Sequence, residues 1–85
     1  MKLSEKRVLL DEIDAQISKL LNERFIIIEE IKKIKKAKEI PILDESREFE
    51  VINNNKKYVN LKYQESFKEI YLEILKTSKK LQSDE

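Results

Sequence analysis

The stretch RVLLDEIDAQISKLLNERFIIIEEIKKIK, from Arg7 to Lys35, decides the fold. Read in heptads from Leu10, its a positions are Leu10, Ile17, Arg24 and Ile31, and its d positions are Ile13, Leu20, Ile27 and Ile34. Arg24 is the one polar member of this seam. A guanidinium on a buried helix face is costly unless an anion meets it, so the position asks for a partner or a ligand.

The same periodicity extends outward in both directions. Ser4 can serve as N-cap with Glu5 in the first turn, where the helix dipole favours an anion, and the pattern continues to about Lys38. This predicts one helix of roughly 35 residues, about 50 Å long at 1.5 Å per residue. A compact domain of this size is much narrower than that, so the chain cannot cover the whole apolar stripe by itself, and a second copy of the helix is its natural cover. The run Phe25, Ile26, Ile27, Ile28 widens the stripe and points to burial on more than one side at that level.

Pro41, the single proline, ends the helical region and makes Glu39 to Leu43 a turn. Asp44 caps a second helix from Glu45 to about Lys56, with Phe49, Val51 and Ile52 as its apolar members. Asn53, Asn54 and Asn55 with the two lysines after them read as a helix end and polar loop, standing in for the absent glycine. Asn60 caps a third helix to about Ser83, with Phe67, Ile70, Tyr71, Ile74, Leu75 and Leu81 at helical spacing. One stripe of that helix runs Tyr71, Ile74, Ser78, Gln82, so an apolar face turns polar towards its end.

With 85 residues the chain makes one small domain, 1–85, of a size that often gains stability from oligomerisation. It holds no Gly, which excludes a Walker loop or dinucleotide fingerprint, and no Cys or His, which removes thiol, imidazole and the usual zinc chemistry. Charged residues make up 41% yet the net charge is only +1, against a one-signed nucleic-acid face. The start, MKLSEKRVLLDEID, has no apolar run of signal-peptide length, and nowhere do about 18 apolar residues occur together as a membrane span needs. The expected location is the cytoplasm, with no membrane and no nucleic acid as partner.

Arg7, Arg24, Lys35 and Arg47 are the basic groups of interest. Arg24 and Lys35 are close to three full turns apart, on neighbouring stripes of one face and about 16 Å apart along the axis, so one small molecule can lie between them. Arg7 lies about 25 Å from Arg24 and about 42 Å from Lys35 on the same helix, beyond the reach of any metabolite. To serve the same site it must come from an antiparallel second copy, and two-fold symmetry then gives two shared sites. Each residue also has a plain structural reading. Arg24 can fix helix register, Asp44 can be only a cap, Arg47 with Glu48 a surface pair, and Ser78 with Gln82 a fraying helix end.

Taken together, the residues resemble the all-helical type II chorismate mutases over nearly the whole chain, from Arg7 to Gln82. The first helix carries Arg7, then Ile13-Asp14 with Ile17, then Leu20-Leu21 with Arg24, then Lys35. Pro41, Asp44, Arg47 and Glu48 follow in the pattern P-x-x-D-x-x-R-E, and Ser78 and Gln82 complete S-x-x-x-Q. All eight polar positions of that family's site stand in order.

The resemblance implies an all-α fold with one long, one short and one medium helix per chain, in an intertwined antiparallel homodimer. It implies an isomerase that converts chorismate to prephenate in phenylalanine and tyrosine biosynthesis, without cofactor or metal. Arg24, Arg47 and the partner's Arg7 would surround the two carboxylates, with Ser78 adding a hydrogen bond. Lys35 and Gln82 would meet the ether oxygen, Glu48 would accept from the ring hydroxyl, and Asp44 would shape that end of the pocket. An isochorismate pyruvate lyase resembles the same fold, but Glu48, Ser78 and the full P-x-x-D-x-x-R-E run favour the mutase. A helical dimerisation or regulatory module without catalysis is the alternative from a different class.

Overall fold

A computed structural model describes residues 2–83 of the chain. Among these the structure is all-helical, with α1 spanning Leu3–Lys38, α2 spanning Glu45–Asn55 and α3 spanning Gln64–Gln82. Two single 3-10 turns, Lys56–Tyr58 and Leu61–Tyr63, join α2 to α3. No helix among the described residues is long and apolar enough to cross a membrane.

The 36 residues of α1 run the length of a molecule measuring 55 × 24 × 19 Å. Its Cα radius of gyration is 15.9 Å, whereas a compact chain of this length would have about 12 Å. The helix starts two residues earlier than its capping signal predicts. Lys2 is the N-cap and its backbone N–H donates to the Glu5 carboxylate at 3.4 Å, while Ser4 lies inside the first turn.

At the other end the chain leaves α1 without a glycine. Glu39 takes the left-handed conformation, φ 54° and ψ 41°, and its N–H reaches back to the Lys36 carbonyl while the Ile40 N–H reaches the Lys35 carbonyl at 2.8 Å. This is a Schellman closure, and it swings the chain through Pro41 towards α2. Asp44 caps α2 as its position predicts, accepting the Arg47 N–H at 3.0 Å.

The asparagines form the end of α2, one residue short of the expected bound at Lys56. Asn53, Asn54 and Asn55 all remain in α2, and the Asn55 side chain donates to the Val51 carbonyl at 2.7 Å, holding the last turn together. Asn60 caps the 3-10 turn that leads into α3, accepting the Lys62 N–H, and α3 itself begins four residues later at Gln64. Asn60 closes a local backbone ring ahead of the helix, which is why its position alone set the start of α3 too early.

α3 is the hub, packing against both α1 and α2. Among the described residues the buried apolar side chains are Ile28 of α1 and Leu75 of α3. The heptad seam is mostly uncovered: Leu10, Ile13, Ile17, Leu20, Ile27 and Ile34 each expose about half their surface or more. A single chain therefore leaves the apolar stripe of α1 largely in water, as its length requires.

Candidate active site

The buried centre of the molecule is polar on one side. Ser78 and Gln82, 5% and 8% exposed, sit one turn apart on α3 beside Leu75, and face Arg24 and Ile28 of α1 across a cleft. The cleft has a volume of about 220 Å³. Four cations, Arg24, Lys35, Arg47 and Lys79, line it with two carboxylates, Asp44 and Glu48. In a chain of net charge +1 this concentrates positive charge in one concavity.

Each element delivers its residues for a local reason. Helical spacing aligns Arg24, Ile28, Ile31 and Lys35 along one face of α1. The turn after α1 folds back so that the Lys35 ammonium donates to the Ile42 carbonyl at 2.9 Å. That brings the first turn of α2 to the same end of the cleft, with Asp44 at the cap and Arg47 and Glu48 one turn in. The carbonyl of Ser83, just past the end of α3, accepts from Lys32 of α1 at 3.3 Å, tying the segment that carries Gln82 to the long helix.

Hydrogen bonds set the orientation of the polar groups. Arg24 Nη1 donates to Ser78 Oγ, and Ser78 Oγ donates to the Ile74 carbonyl at 2.8 Å. Gln82 Nε2 donates to the Ser78 carbonyl at 3.2 Å. Its Oε1 is buried with no hydrogen-bond partner, an acceptor left open at the wall of the cleft. The Arg47 guanidinium is turned outward to Glu50 at 2.6 Å, and the Glu48 carboxylate pairs with Lys79 at 3.1 Å. The surface pair expected between Arg47 and Glu48 is therefore two pairs with other partners.

Asp44 is held below the ordinary carboxylate range, chiefly by the Arg47 backbone N–H and then by the Ser46 hydroxyl, against an opposing desolvation. The charges of Lys35 and Arg47 act in the same direction as those hydrogen bonds.

Seven of the eight polar residues singled out in the sequence, Arg24, Lys35, Asp44, Arg47, Glu48, Ser78 and Gln82, line this one cleft. Arg7 does not; it lies near the start of α1, about 25 Å along the helix from Arg24. A model of the family described as chorismate mutase type II matches residues 6–83. The chain belongs to this family. No curated protein matches the chain.

For a type II chorismate mutase fold, one charged lining residue escaped the sequence reading. Lys79 shares the cleft wall with its neighbour Ser78, but in the sequence it is one of several lysines between positions 76 and 80. Its ion pair comes from Glu48, 31 positions earlier, and only the packing of α2 on α3 brings the two together. The apolar wall of Ile28, Ile31, Ile42, Val51 and Leu75 excludes water from one side of the site and strengthens every charge interaction within it.

Proposed function

We propose that this protein is a chorismate mutase, an isomerase that rearranges chorismate to prephenate in phenylalanine and tyrosine biosynthesis. The single domain 1–85 acts as an antiparallel homodimer, and each of two sites receives Arg7 from the other chain. What carries the reading is the convergence of Arg24, Lys35, Arg47, Ser78 and Gln82, from three helices, on one cationic cleft of metabolite size. The membership of the family supports it, and so does the exposed seam of α1, which a second long helix would cover.

The reaction breaks the ether carbon–oxygen bond while a carbon–carbon bond forms, within one molecule. It moves no proton and needs no nucleophile, so a chain without His or Cys has all the side chains required. Two demands remain. The flexible side chain of the substrate must be held over its ring, and the oxygen that gains negative charge in the transition state must meet fixed donors.

Arg24, Arg47 and the partner's Arg7 answer the first demand by clamping the two carboxylates. Arg47 leaves Glu50 to do so, exchanging an exposed ion pair of little worth for a charged hydrogen bond inside the cleft. Ser78 acts on the ligand through Arg24, whose guanidinium it orients, because its own proton is given to Ile74. Lys35 answers the second demand by releasing the Ile42 carbonyl and turning its ammonium to the ether oxygen. Gln82 donates its second amide proton to the same oxygen, while its unpartnered Oε1 accepts from the arriving lysine. Glu48 accepts from the ring hydroxyl, with Asp44 shaping that end.

Loss of chorismate absorbance and formation of prephenate test the reading directly, with Lys35→Ala and Gln82→Ala as controls. Turnover by wild type and a fall of 100-fold or more in either variant is the expected result, about 3 kcal/mol of transition-state stabilisation for one oriented donor. No turnover by wild type, or variants that match it, would overturn the assignment.

A further inference from the structure

Lys79 lines the cleft, yet none of the clamping or ether-oxygen contacts uses it. Its ammonium lies 3.1 Å from Oε2 of Glu48, and the side chains of Lys79 and Glu48 are 37% and 26% exposed. The pair spans from α3 to α2, and it is set inward of the freely solvated pairs at the surface, such as Arg47 with Glu50.

From this pair we infer that Lys79 is a positioning residue that fits Glu48 to read the ring hydroxyl of the substrate. The inference rests on the mutase reading above. A carboxylate in the wall of a site for a dianion is a liability, because its charge repels the ligand at close range. Lys79 offsets that charge without filling the cleft. It also occupies Oε2, which fixes the plane of the carboxylate and leaves Oε1 free to accept from a hydroxyl. The consequence is specificity: a site with a fixed, part-buried acceptor discriminates against a ligand that lacks the matching donor. Without Lys79 the carboxylate rotates and keeps its full repulsion, so the benefit of the hydroxyl shrinks.

The test compares kcat/KM for chorismate with that for its analogue lacking the ring hydroxyl. Wild type is expected to favour chorismate by on the order of tenfold or more. Lys79→Met keeps the apolar stem and removes the charge, so packing is preserved. It should lower kcat/KM for both dianions, because the charge of Glu48 is then uncovered, and for chorismate by about tenfold more than for the analogue, collapsing the preference. Lys79→Arg should restore most of the preference, and in a Glu48→Gln background Lys79→Met should change it no further. An equal loss on both substrates, or a preference that survives Lys79→Met, would overturn the inference. Failure of the mutase reading is distinct, since wild type would then convert no chorismate before any variant is made.

Discussion

Arg24 on α1 donates to the hydroxyl of Ser78 on α3, 54 positions further along the chain, and that hydroxyl passes its own proton to the Ile74 carbonyl. The hydroxyl is thus a hinge pin between two helices rather than a free donor in the site. Replacing it with a methyl leaves a guanidinium at the cleft wall without its acceptor. Ser78→Ala should therefore lower kcat/KM for chorismate by roughly 10- to 100-fold, the worth of one charge-assisted hydrogen bond, with the loss concentrated in KM. Helical circular dichroism should be unchanged. A variant with wild-type KM would show that Arg24 is oriented by something other than Ser78.

The position of Arg24 was legible in the sequence because a single arginine broke a run of leucine and isoleucine, and the period of that run dictated one long helix. The spacing of Ser78 and Gln82 was legible for the same reason. What could not be read were the contacts made by side chains of common type. Lys79 looks like any solvated lysine until α2 is laid against α3, and Arg47 pairs with Glu50, three residues on, at the exposed surface of α2. The backbone at Glu39 was hidden too, since a left-handed helix cap is normally announced by glycine and this chain has none.

On the proposed mechanism, Gln82 governs how activity depends on pH. An amide donates a hydrogen bond at any pH, and no histidine is present to titrate near neutrality. Wild-type kcat/KM should stay level within about threefold between pH 5.5 and 8, because the amide does not titrate there. Gln82→Glu should reverse this, because a carboxylate repels the ether oxygen and only its protonated form donates. Its activity should rise steadily as pH falls, towards the carboxylate range. A wild-type rate that drops steeply from pH 5.5 to 8 with the dimer still folded would contradict the role given to the amide.

Distance along α1 makes the dimer testable by complementation. Arg7 and Arg24, about 25 Å apart on one helix, can meet the same ligand only from different chains. Chains carrying Arg7→Ala or Arg24→Ala should each be inactive as homodimers. After mixing and exchange, heterodimers hold one site with both arginines and one with neither, so up to about a quarter of wild-type activity should return at equal mixing. No recovery after exchange verified by mass spectrometry would locate each site within a single chain. The half-exposed seam of α1 leads to a companion result: unfolding midpoints should rise with protein concentration.

The depressed pKa of Asp44 carries a sign for stability. Its folded-state value lies below that of an ordinary aspartate, so the ionised carboxyl stabilises the fold at pH above that ordinary value. This contribution is lost as pH falls through the lowered folded pKa. Asp44→Ala removes the cap and the titration together. The variant should melt below wild type at pH 6, and the gap between them should narrow as pH is taken from 4 towards 2. A gap that stays constant over that range would mean that the cap acts without its charge.

Glu39 offers the clearest case of strain that substitution can relieve. Its φ of 54° places a residue with a Cβ where the side chain crowds the backbone, and the Schellman closure of α1 requires that conformation. Glycine adopts it freely, and it removes a carboxylate from the negative end of the helix dipole at the same time. Against this stands the larger entropy of a glycine in the unfolded chain, which offsets part of the gain. Glu39→Gly should stabilise the protein by about 1 kcal/mol, raising the melting midpoint by roughly 4–8 °C for a domain of this size. Glu39→Asn, which tolerates the left-handed region better than most residues, should fall between the two, and Glu39→Ala should gain only the small electrostatic part. The order Gly, Asn, Ala, Glu in thermal melts at one protein concentration tests backbone strain apart from charge. If Glu39→Ala matched Glu39→Gly, charge alone would account for the effect.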